Sequence, residues 1–263
     1  MAKETLAEVK RRRAAVEVVD AKIAVDLATA QSYSENVFLF VPNLIGYTRI
    51  ILAAASLHWM SYHPKYCTLA YGISCLLDAV DGHAARALGQ ASKFGAVLDM
   101  VTDRCTTSCL LCYLSSAYPD YALAFQFLMT LDFSSHYMHM YSSLVTGSKS
   151  HKLVTSDVSR ILWLYYNDSR TLFFMCAGNE IFFVSLYLMK WIHTPITFSS
   201  ITPIASLYWL LGDLTWPALL AIVSFPIFLA KNIINVVQLW KAAKILVGLD
   251  LLERQKKREE KKQ

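Results

Sequence analysis

Residues 76–105, LLDAVDGHAARALGQASKFGAVLDMVTDRC, place four aspartates in an otherwise apolar part of the chain. With one arginine and three small residues they follow the spacing D-x-x-D-G-x-x-A-R-x8-G-x3-D-x3-D. The pattern is formed by Asp78, Asp81, Gly82, Ala85, Arg86, Gly95, Asp99 and Asp103. An ionised aspartate at the centre of a membrane helix is unfavourable by about 2.5–3.5 kcal/mol. Such a group of acids needs a shared positive partner, and a pair of divalent cations is the simplest, so the stretch predicts a chemically active site.

The whole chain has the composition of a membrane protein. Its 263 residues are 55% hydrophobic and 17% charged, which is too apolar for an ordinary soluble domain of this size. Several apolar runs reach the ~20 residues that cross ~30 Å of hydrocarbon. We therefore predict an all-α, polytopic membrane protein with six transmembrane helices. The predicted spans are residues 42–60, 66–88, 93–117, 121–145, 171–190 and 217–240, and residues 191–216 are expected to form a loop with a short interfacial helix.

The basic residues set the predicted orientation and domain organisation. The net charge is +5, and lysines and arginines cluster at both ends of the chain and beside the motif. By the positive-inside rule, both termini and the motif face the cytosol. Basic runs next to apolar spans indicate anchors at anionic lipid headgroups, and we expect no nucleic-acid partner. We predict a charged N-terminal extension over residues 1–34, either a surface helix or disordered, a six-helix catalytic domain over residues 35–246, and a basic cytoplasmic tail over residues 247–263.

Three cysteines share one predicted helical face. Cys105, Cys109 and Cys112 are spaced at i, i+4 and i+7, and the last two form a C-x-x-C pair. A structural zinc site needs further ligands, and no second pair or nearby histidine supplies them. We expect these cysteines to pack as small apolar residues between helices.

The aspartates of the motif are spaced to converge. Residues three or four apart share a helical face, so Asp78 pairs with Asp81, and Asp99 with Asp103. Because only a short turn separates the two predicted helices, we expect antiparallel neighbours whose carboxylates face each other. Carboxylate oxygens suit Mg²⁺ or Mn²⁺, and Arg86 can bind a phosphate in a bidentate fork. The alternative is a structural ion-pair cluster neutralised by Arg86 and Arg104, which leaves four acids against two bases.

The motif resembles the signature of the CDP-alcohol phosphotransferase family at every position. The resemblance implies two divalent metals, Mg²⁺ or Mn²⁺, held by the four aspartates, the last of which is also the general base. Transferred by position, the metal ligands are Asp78, Asp81, Asp99 and Asp103, and the catalytic base is Asp103. The same transfer places Gly82, Ala85, Arg86 and Gly95 around CDP-diacylglycerol, where glycines leave room for the nucleotide.

Longer stretches resemble one group within this family, the eukaryotic phosphatidylinositol synthases. They are LFVPNLIGYTRI (39–50), TGSKSHK (146–152) and YYNDSRTLFFMCAGNEIFF (165–183). The resemblance covers about residues 35–250 and implies a reaction of CDP-diacylglycerol with myo-inositol that releases CMP. It also implies a homodimer in the endoplasmic reticulum membrane, with its active site facing the cytosol. The extension over residues 1–34 lies outside the resemblance.

Two other functions fit parts of the pattern. A member of the same family could use another acceptor: glycerol 3-phosphate, serine, choline or ethanolamine. The predicted acceptor helices are poor in arginine and lysine, which favours an uncharged polyol over a phosphorylated acceptor. A membrane transporter would also carry intramembrane acids, but they would be spread across the depth of the membrane, whereas these cluster on one side.

Several polar residues outside the motif are weaker candidates. Asn43 and Arg49 in the first span would reach the nucleotide in CDP-diacylglycerol, or Arg49 would instead neutralise the aspartates. Asp132 and His136 share a helical face and would either contact inositol or form an interhelical hydrogen-bond pair; residues 179–180 carry the same alternatives. Because a polyol is recognised through several hydrogen bonds, the inositol-contact candidates are Asp132, His136, Lys149, His151, Lys152 and Arg170.

Overall fold

The computed structural model describes residues 36–146, 168–196 and 214–261, together with Val25, Ala28, Thr29 and Tyr165. Within these residues the chain forms α-helices and no strand, which confirms the all-α prediction. The helices are α1 Val41–Trp59, α2 Pro64–Ala87, α3 Lys93–Ala117, α4 Ala122–Val145, α5 Ser169–Met189 and α6 Trp216–Glu260, with short 3-10 turns at Val37–Leu39 and Pro119–Tyr121. The predicted N-terminal extension lies almost entirely outside the described residues, and so does most of the loop predicted over residues 191–216.

The first five helices coincide with predicted spans to within about two residues, an ordinary boundary error. The sixth differs: α6 continues to Glu260, past the predicted end near residue 240 and past the predicted domain boundary at residue 246. By length and apolar composition, Arg170–Met189 and α6 suffice to cross a membrane. Helices α2 and α3 carry the charged residues of the motif, which lower their hydropathy, so the number of spans stays a prediction.

Local sequence signals fix where the helices begin. Pro64 opens α2, as expected for a residue that has no N–H to satisfy in the first turn. Ser92 caps α3, because its Oγ accepts a hydrogen bond from the Gly95 N–H at 2.9 Å. Asp168 caps α5, and the hydrogen bond from the Thr171 hydroxyl lowers the pKa of the Asp168 carboxyl, so the cap is ionised at neutral pH.

The turn between α2 and α3 is tied to the start of α1. Gly89 has φ of +65°, a left-handed conformation that glycine adopts without strain. The next residue, Gln90, accepts a hydrogen bond from the Val41 N–H through its Oε1 at 2.9 Å. The beginning of α1, the end of α2 and the beginning of α3 therefore lie at the same end of the bundle.

Helix α1 packs against both α2 and α3, whose backbones approach each other at very few points. The predicted convergence of the carboxylates of α2 and α3 is present, since oxygens of Asp78, Asp99 and Asp103 lie within 4.8 Å of one another, and α1 packs against both helices. The second half of the bundle is formed by α6, which packs against α4 and α5. An apolar core lies at the end away from the α2–α3 turn, and its buried members include Met60, Tyr71, Leu111, Phe183 and Tyr187.

Candidate active site

The four aspartates of the motif lie at one depth in the bundle. Asp81 is six residues before the end of α2, and Asp103 is ten residues after the start of α3. At 1.5 Å per residue, the group spans roughly 9–15 Å from the turn-side end of the helices. Arg49, eight residues after the start of α1, lies at the same depth.

Arg49 contacts all four carboxylates. Its Nη1 lies 2.7 Å from Asp81 Oδ2 and 2.7 Å from Asp99 Oδ1. Its Nη2 lies 2.8 Å from Asp78 Oδ1 and also contacts Asp103 Oδ1. Arg49 is 2% exposed, so the guanidinium is enclosed by the acids that it pairs with. Of the two roles considered for Arg49 in the sequence, this geometry is that of a neutralising cation.

Three of the four aspartates form a possible metal-binding set. Asp78, Asp99 and Asp103 each offer one oxygen, and these oxygens lie within 4.8 Å of one another. Asp81 is not part of this set and is directed to Arg49. Clustered carboxylate oxygens are the donors that Mg²⁺ and Mn²⁺ prefer, so the residues fit a divalent cation.

Of the residues predicted to bind the nucleotide, Asn43 and Gly95 lie where α1 and α3 pack together, whereas Ala85 and Arg86 lie at the more open end of α2. A Cβ on Gly95 would lie 2.6 Å from Asn43 Oδ1, and the Asn43 Nδ2 donates to the Val37 carbonyl at 2.6 Å. Gly95 is thus required for the close approach of α1 and α3. At the end of α2, Arg86 is exposed, Ala85 is half-buried, and the guanidinium of Arg86 lies 3.6 Å from where a Cβ on residue 82 would be.

A second polar network extends from Asp103 into α4 and α6. Arg104 Nη1 donates to both carboxylate oxygens of Asp132 at 2.8 and 2.9 Å, and Arg104 Nη2 lies 3.5 Å from Asp103 Oδ2. Asn235 Nδ2 donates to Asp132 at 3.2 Å, and Lys231 Nζ donates to Asn235 Oδ1 at 2.6 Å. The network joins α3, α4 and α6 across the interior of the bundle.

The other candidate acceptor residues occupy different surroundings. His136 Nδ1 lies 2.8 Å from the Asp132 carbonyl oxygen and 3.5 Å from its carboxylate. Arg170 is exposed in the first turn of α5. Lys149, His151 and Lys152 lie outside the described residues.

Glu180 belongs to a separate polar contact among α2, α3 and α5. Its carboxylate accepts hydrogen bonds from the Tyr71 hydroxyl at 2.6 Å and the Thr107 hydroxyl at 3.0 Å. Asn179 Nδ2 also lies 3.4 Å from Glu180 Oε1. Of the alternatives considered for this pair, the geometry is that of an interhelical hydrogen-bond group.

Two sequence predictions about this region are wrong. Cys105, Cys109 and Cys112 are exposed on the surface of α3 and do not pack between the described helices. The interior helices also hold more positive charge than predicted, since Lys231 is 3% exposed and 15% of the Arg104 side chain is exposed.

The predicted site residues did not include the buried polar residues of α6, although the spacing of these residues indicates that they share one helical face. Lys231, Asn235 and Gln238 recur at i, i+4 and i+7 and are all buried. Gln238 Nε2 donates to the Ser135 carbonyl of α4 at 3.1 Å. A polar stripe on an otherwise apolar helix indicates a buried polar interface or site.

Comparisons with known proteins find relatives over most of the chain. Residues 39–247 match the family described as CDP-alcohol phosphatidyltransferase. A protein of Schizosaccharomyces pombe is 55% identical over 223 residues, covering 83% of this chain and 93% of its own length. Proteins of Homo sapiens and Saccharomyces cerevisiae are 44% and 45% identical, covering 85% and 82% of this chain and 99% and 90% of their own lengths.

All three relatives are named CDP-diacylglycerol–inositol 3-phosphatidyltransferase. No solved structure matches this chain. The family match spans most of the chain and includes the whole aspartate motif and every described helix except the end of α6. The chain therefore belongs to the CDP-alcohol phosphatidyltransferase family.

Proposed function

We propose that this protein transfers the phosphatidyl group of CDP-diacylglycerol to myo-inositol, producing phosphatidylinositol and releasing CMP. The observation that carries the proposal is the cluster of Asp78, Asp99 and Asp103, whose oxygens lie within 4.8 Å of one another. It occurs in a chain 44–55% identical to relatives named for this reaction. The proposal concerns a membrane enzyme, in keeping with the family and with the two apolar helices.

The aspartates have two roles in the proposed reaction. Asp78, Asp81, Asp99 and Asp103 would hold two divalent cations, Mg²⁺ or Mn²⁺, which when bound neutralise negative charge on the phosphates. Asp103 accepts the proton of an inositol hydroxyl. The hydroxyl oxygen then forms a bond to the β-phosphorus, and the bond from that phosphorus to the oxygen of CMP breaks. The products are phosphatidylinositol and CMP, with the proton on Asp103 until solvent removes it.

The donor nucleotide is proposed to bind at the turn-side end of α2. Gly82 and Ala85 present little side chain there, and the exposed Arg86 can bind a phosphate in a bidentate fork. Asn43 and Gly95 contribute by holding α1 against α3. The CMP leaving group is water-soluble, whereas the acyl chains of the donor stay in lipid, so a site at the edge of the membrane suits both.

The network around Asp132 is proposed to form the acceptor side. It offers hydrogen-bonding groups from α4 and α6 close to Asp103, including Asp132 and His136. The Arg104 guanidinium is already bound to Asp132, and the Lys231 ammonium donates to Asn235. Because these cations have partners, the network suits a neutral polyol better than a phosphorylated acceptor. Lys149, His151, Lys152 and Arg170 stay predicted acceptor contacts.

The remaining parts of the proposal concern the cell. We propose six spans in the endoplasmic reticulum membrane, an active site open to the cytosol, and a homodimer. The support is the family resemblance, the charge asymmetry of the loops, and the position of the aspartates at one end of the bundle. Labelling of single cysteines placed in the α2–α3 turn and at the α1–α2 connection, from each side of sealed microsomes, tests the orientation.

The reaction is tested by CMP release from purified protein in detergent, with CDP-diacylglycerol and Mg²⁺. The assay is run with myo-inositol, without acceptor, and with glycerol 3-phosphate, serine, choline or ethanolamine. We expect release that depends on both inositol and metal. Release with another acceptor alone would retain the chemistry and replace the product. No release with any acceptor, from folded protein, would contradict the proposed function.

A further inference from the structure

Arg49 occupies the space that lies between the motif aspartates of two helices. Its Nη1 joins Asp81 of α2 to Asp99 of α3, at 2.7 Å from each. Its Nη2 joins Asp78 of α2 to Asp103 of α3. The carboxylates of the two helices also lie close to one another, and the guanidinium from α1 contacts both halves of the motif.

The charges at this place are far from balanced. Four carboxylates face one guanidinium, and the nearest other cation, Arg104, is bound through Nη1 to both oxygens of Asp132. Like charges at these separations repel each other, although the site is partly open to water, since the side chains of Asp78, Asp99 and Asp103 are 29–42% exposed. Without Arg49, the aspartates of α2 and α3 would have no cation between them, and their repulsion would oppose the packing of α1–α3.

The fit of the guanidinium is incomplete. Arg49 Nε is buried and has no hydrogen-bond partner among the described residues. A buried donor without a partner is unfavourable, and Arg104 Nε is in the same condition. A group held by strong charge but with one donor unsatisfied can be displaced by a better-matched cation.

We infer that Arg49 is a built-in counter-cation that keeps the aspartates assembled in the metal-free protein and competes with divalent cations for them. The inference rests on the proposed function only in assuming that these aspartates hold metal. Metal and guanidinium bind the same three carboxylates, those of Asp78, Asp99 and Asp103, so we expect metal loading to remove some of the Arg49 contacts. Arg49 therefore stabilises the protein without metal and weakens its apparent affinity for metal.

The test compares the wild-type protein with Arg49→Gln, Arg49→Lys and Lys93→Gln. Lys93 is exposed at the start of α3, so its variant removes one positive charge from the same end of the bundle without touching the aspartates. Mn²⁺ binding is measured by electron paramagnetic resonance, and thermal unfolding midpoints are measured with and without Mg²⁺. Neither measurement uses CDP-diacylglycerol or inositol.

We expect Arg49→Gln to bind Mn²⁺ at least about tenfold more tightly, since a nearby unit charge is removed. Its metal-free unfolding midpoint should fall, and Mg²⁺ should raise that midpoint by more than in the wild type. Arg49→Lys and Lys93→Gln should bind Mn²⁺ within about threefold of the wild type, because the site keeps its charge in the first and is untouched in the second. Unchanged or weaker Mn²⁺ binding by Arg49→Gln would overturn the inference.

A variant that folds only when Mg²⁺ is present would support the inference, because metal would then replace the missing cation. Where Arg49→Gln does not fold in either condition, Asp81→Asn is compared with the double variant Asp81→Asn, Arg49→Gln, in which one repelling charge is already removed. The double variant should bind Mn²⁺ more tightly than the single one, and equal binding would overturn the inference. Failure of the proposed reaction is separately visible as normal Mn²⁺ binding without CMP release.

Discussion

Substitution of Gly178 by alanine tests how closely α5 must approach α6. A Cβ on residue 178 would lie 2.5 Å from Cγ2 of Ile227, 3.0 Å from its Cβ and 3.1 Å from its Cδ1. These distances are up to about 1–1.5 Å shorter than ordinary carbon contacts. Ile227 is β-branched and holds one χ1 rotamer in a helix, so its side chain cannot rotate away. The two helices must instead move apart.

The size of the effect follows from two opposing terms. Overpacking a close contact is unfavourable by about 1–3 kcal/mol, whereas glycine to alanine inside a helix is favourable by about 1 kcal/mol. The matched controls are Gly72→Ala in α2 and Gly248→Ala in α6, since a Cβ at either position would meet no atom within 4 Å. The control variants gain the better helix propensity of alanine without the steric clash. Gly178→Ala should therefore be less stable than either control by about 1–3 kcal/mol.

The assay is thermal unfolding of the variants in one detergent. A difference of 1 kcal/mol shifts the midpoint of a domain of this size by about 2–4 °C, so Gly178→Ala should melt about 2–12 °C below the controls. Adding Ile227→Ala removes the clashing methyl groups and should recover part of the loss. A Gly178→Ala midpoint equal to those of the controls would refute the reasoning. So would a Gly178→Ala substitution that lowers the midpoint as much in the Ile227→Ala protein as in the wild type.

Three further predictions concern the site. Asp103→Asn should lower the rate of CMP release by on the order of 10²–10⁴-fold. It should not lower the metal-free unfolding midpoint, because three carboxylates still bind the Arg49 guanidinium. Turnover near the wild-type rate would exclude Asp103 as the base. Asp132→Asn should destabilise the protein by about 3–5 kcal/mol, since it removes the carboxylate that accepts two hydrogen bonds from Arg104 and leaves only the more distant Asp103 as a charged partner. Adding Arg104→Gln should restore much of the unfolding midpoint. Gly95→Ala would place a Cβ 2.6 Å from Asn43 Oδ1, so it should lower the unfolding midpoint as well as activity; a loss of activity with an unchanged midpoint would indicate a role in nucleotide binding alone.

The apolar runs and their boundary residues predicted the described helices well. Pro64 and Ser92 mark helix starts through their own local chemistry, which needs no tertiary information. The end of α6 was harder to place, because the charged residues after about residue 246 resemble a tail and yet continue the helix to Glu260. Charge composition identifies exposure to water, but it does not stop a helix whose residues have good helical propensity.

The motif spacing correctly predicted that the aspartate pairs lie on α2 and α3. It did not predict that Arg49 lies among them. Periodicity reports which residues share a face of one helix, and it does not report which third helix packs across them. The position of Arg49 among the aspartates depends on α1 packing against both α2 and α3, which is a tertiary fact. The same limit applies to Arg104, whose partner Asp132 is on α4.

The two arginines beside Asp103 link metal loading to the proposed chemistry. Arg49 Nη2 contacts Oδ1 of Asp103. Arg104 Nη2 lies 3.5 Å from Oδ2, and Arg104 hydrogen-bonds mainly to Asp132. An oxygen that already accepts a hydrogen bond from a guanidinium is less available to an inositol hydroxyl. Withdrawal of Arg49 on metal loading would therefore leave Oδ1 to the metal or to the inositol hydroxyl, while Arg104 stays 3.5 Å from Oδ2. In the proposed reaction, the residue that stabilises the metal-free protein would thus also cover one oxygen of the base, Asp103.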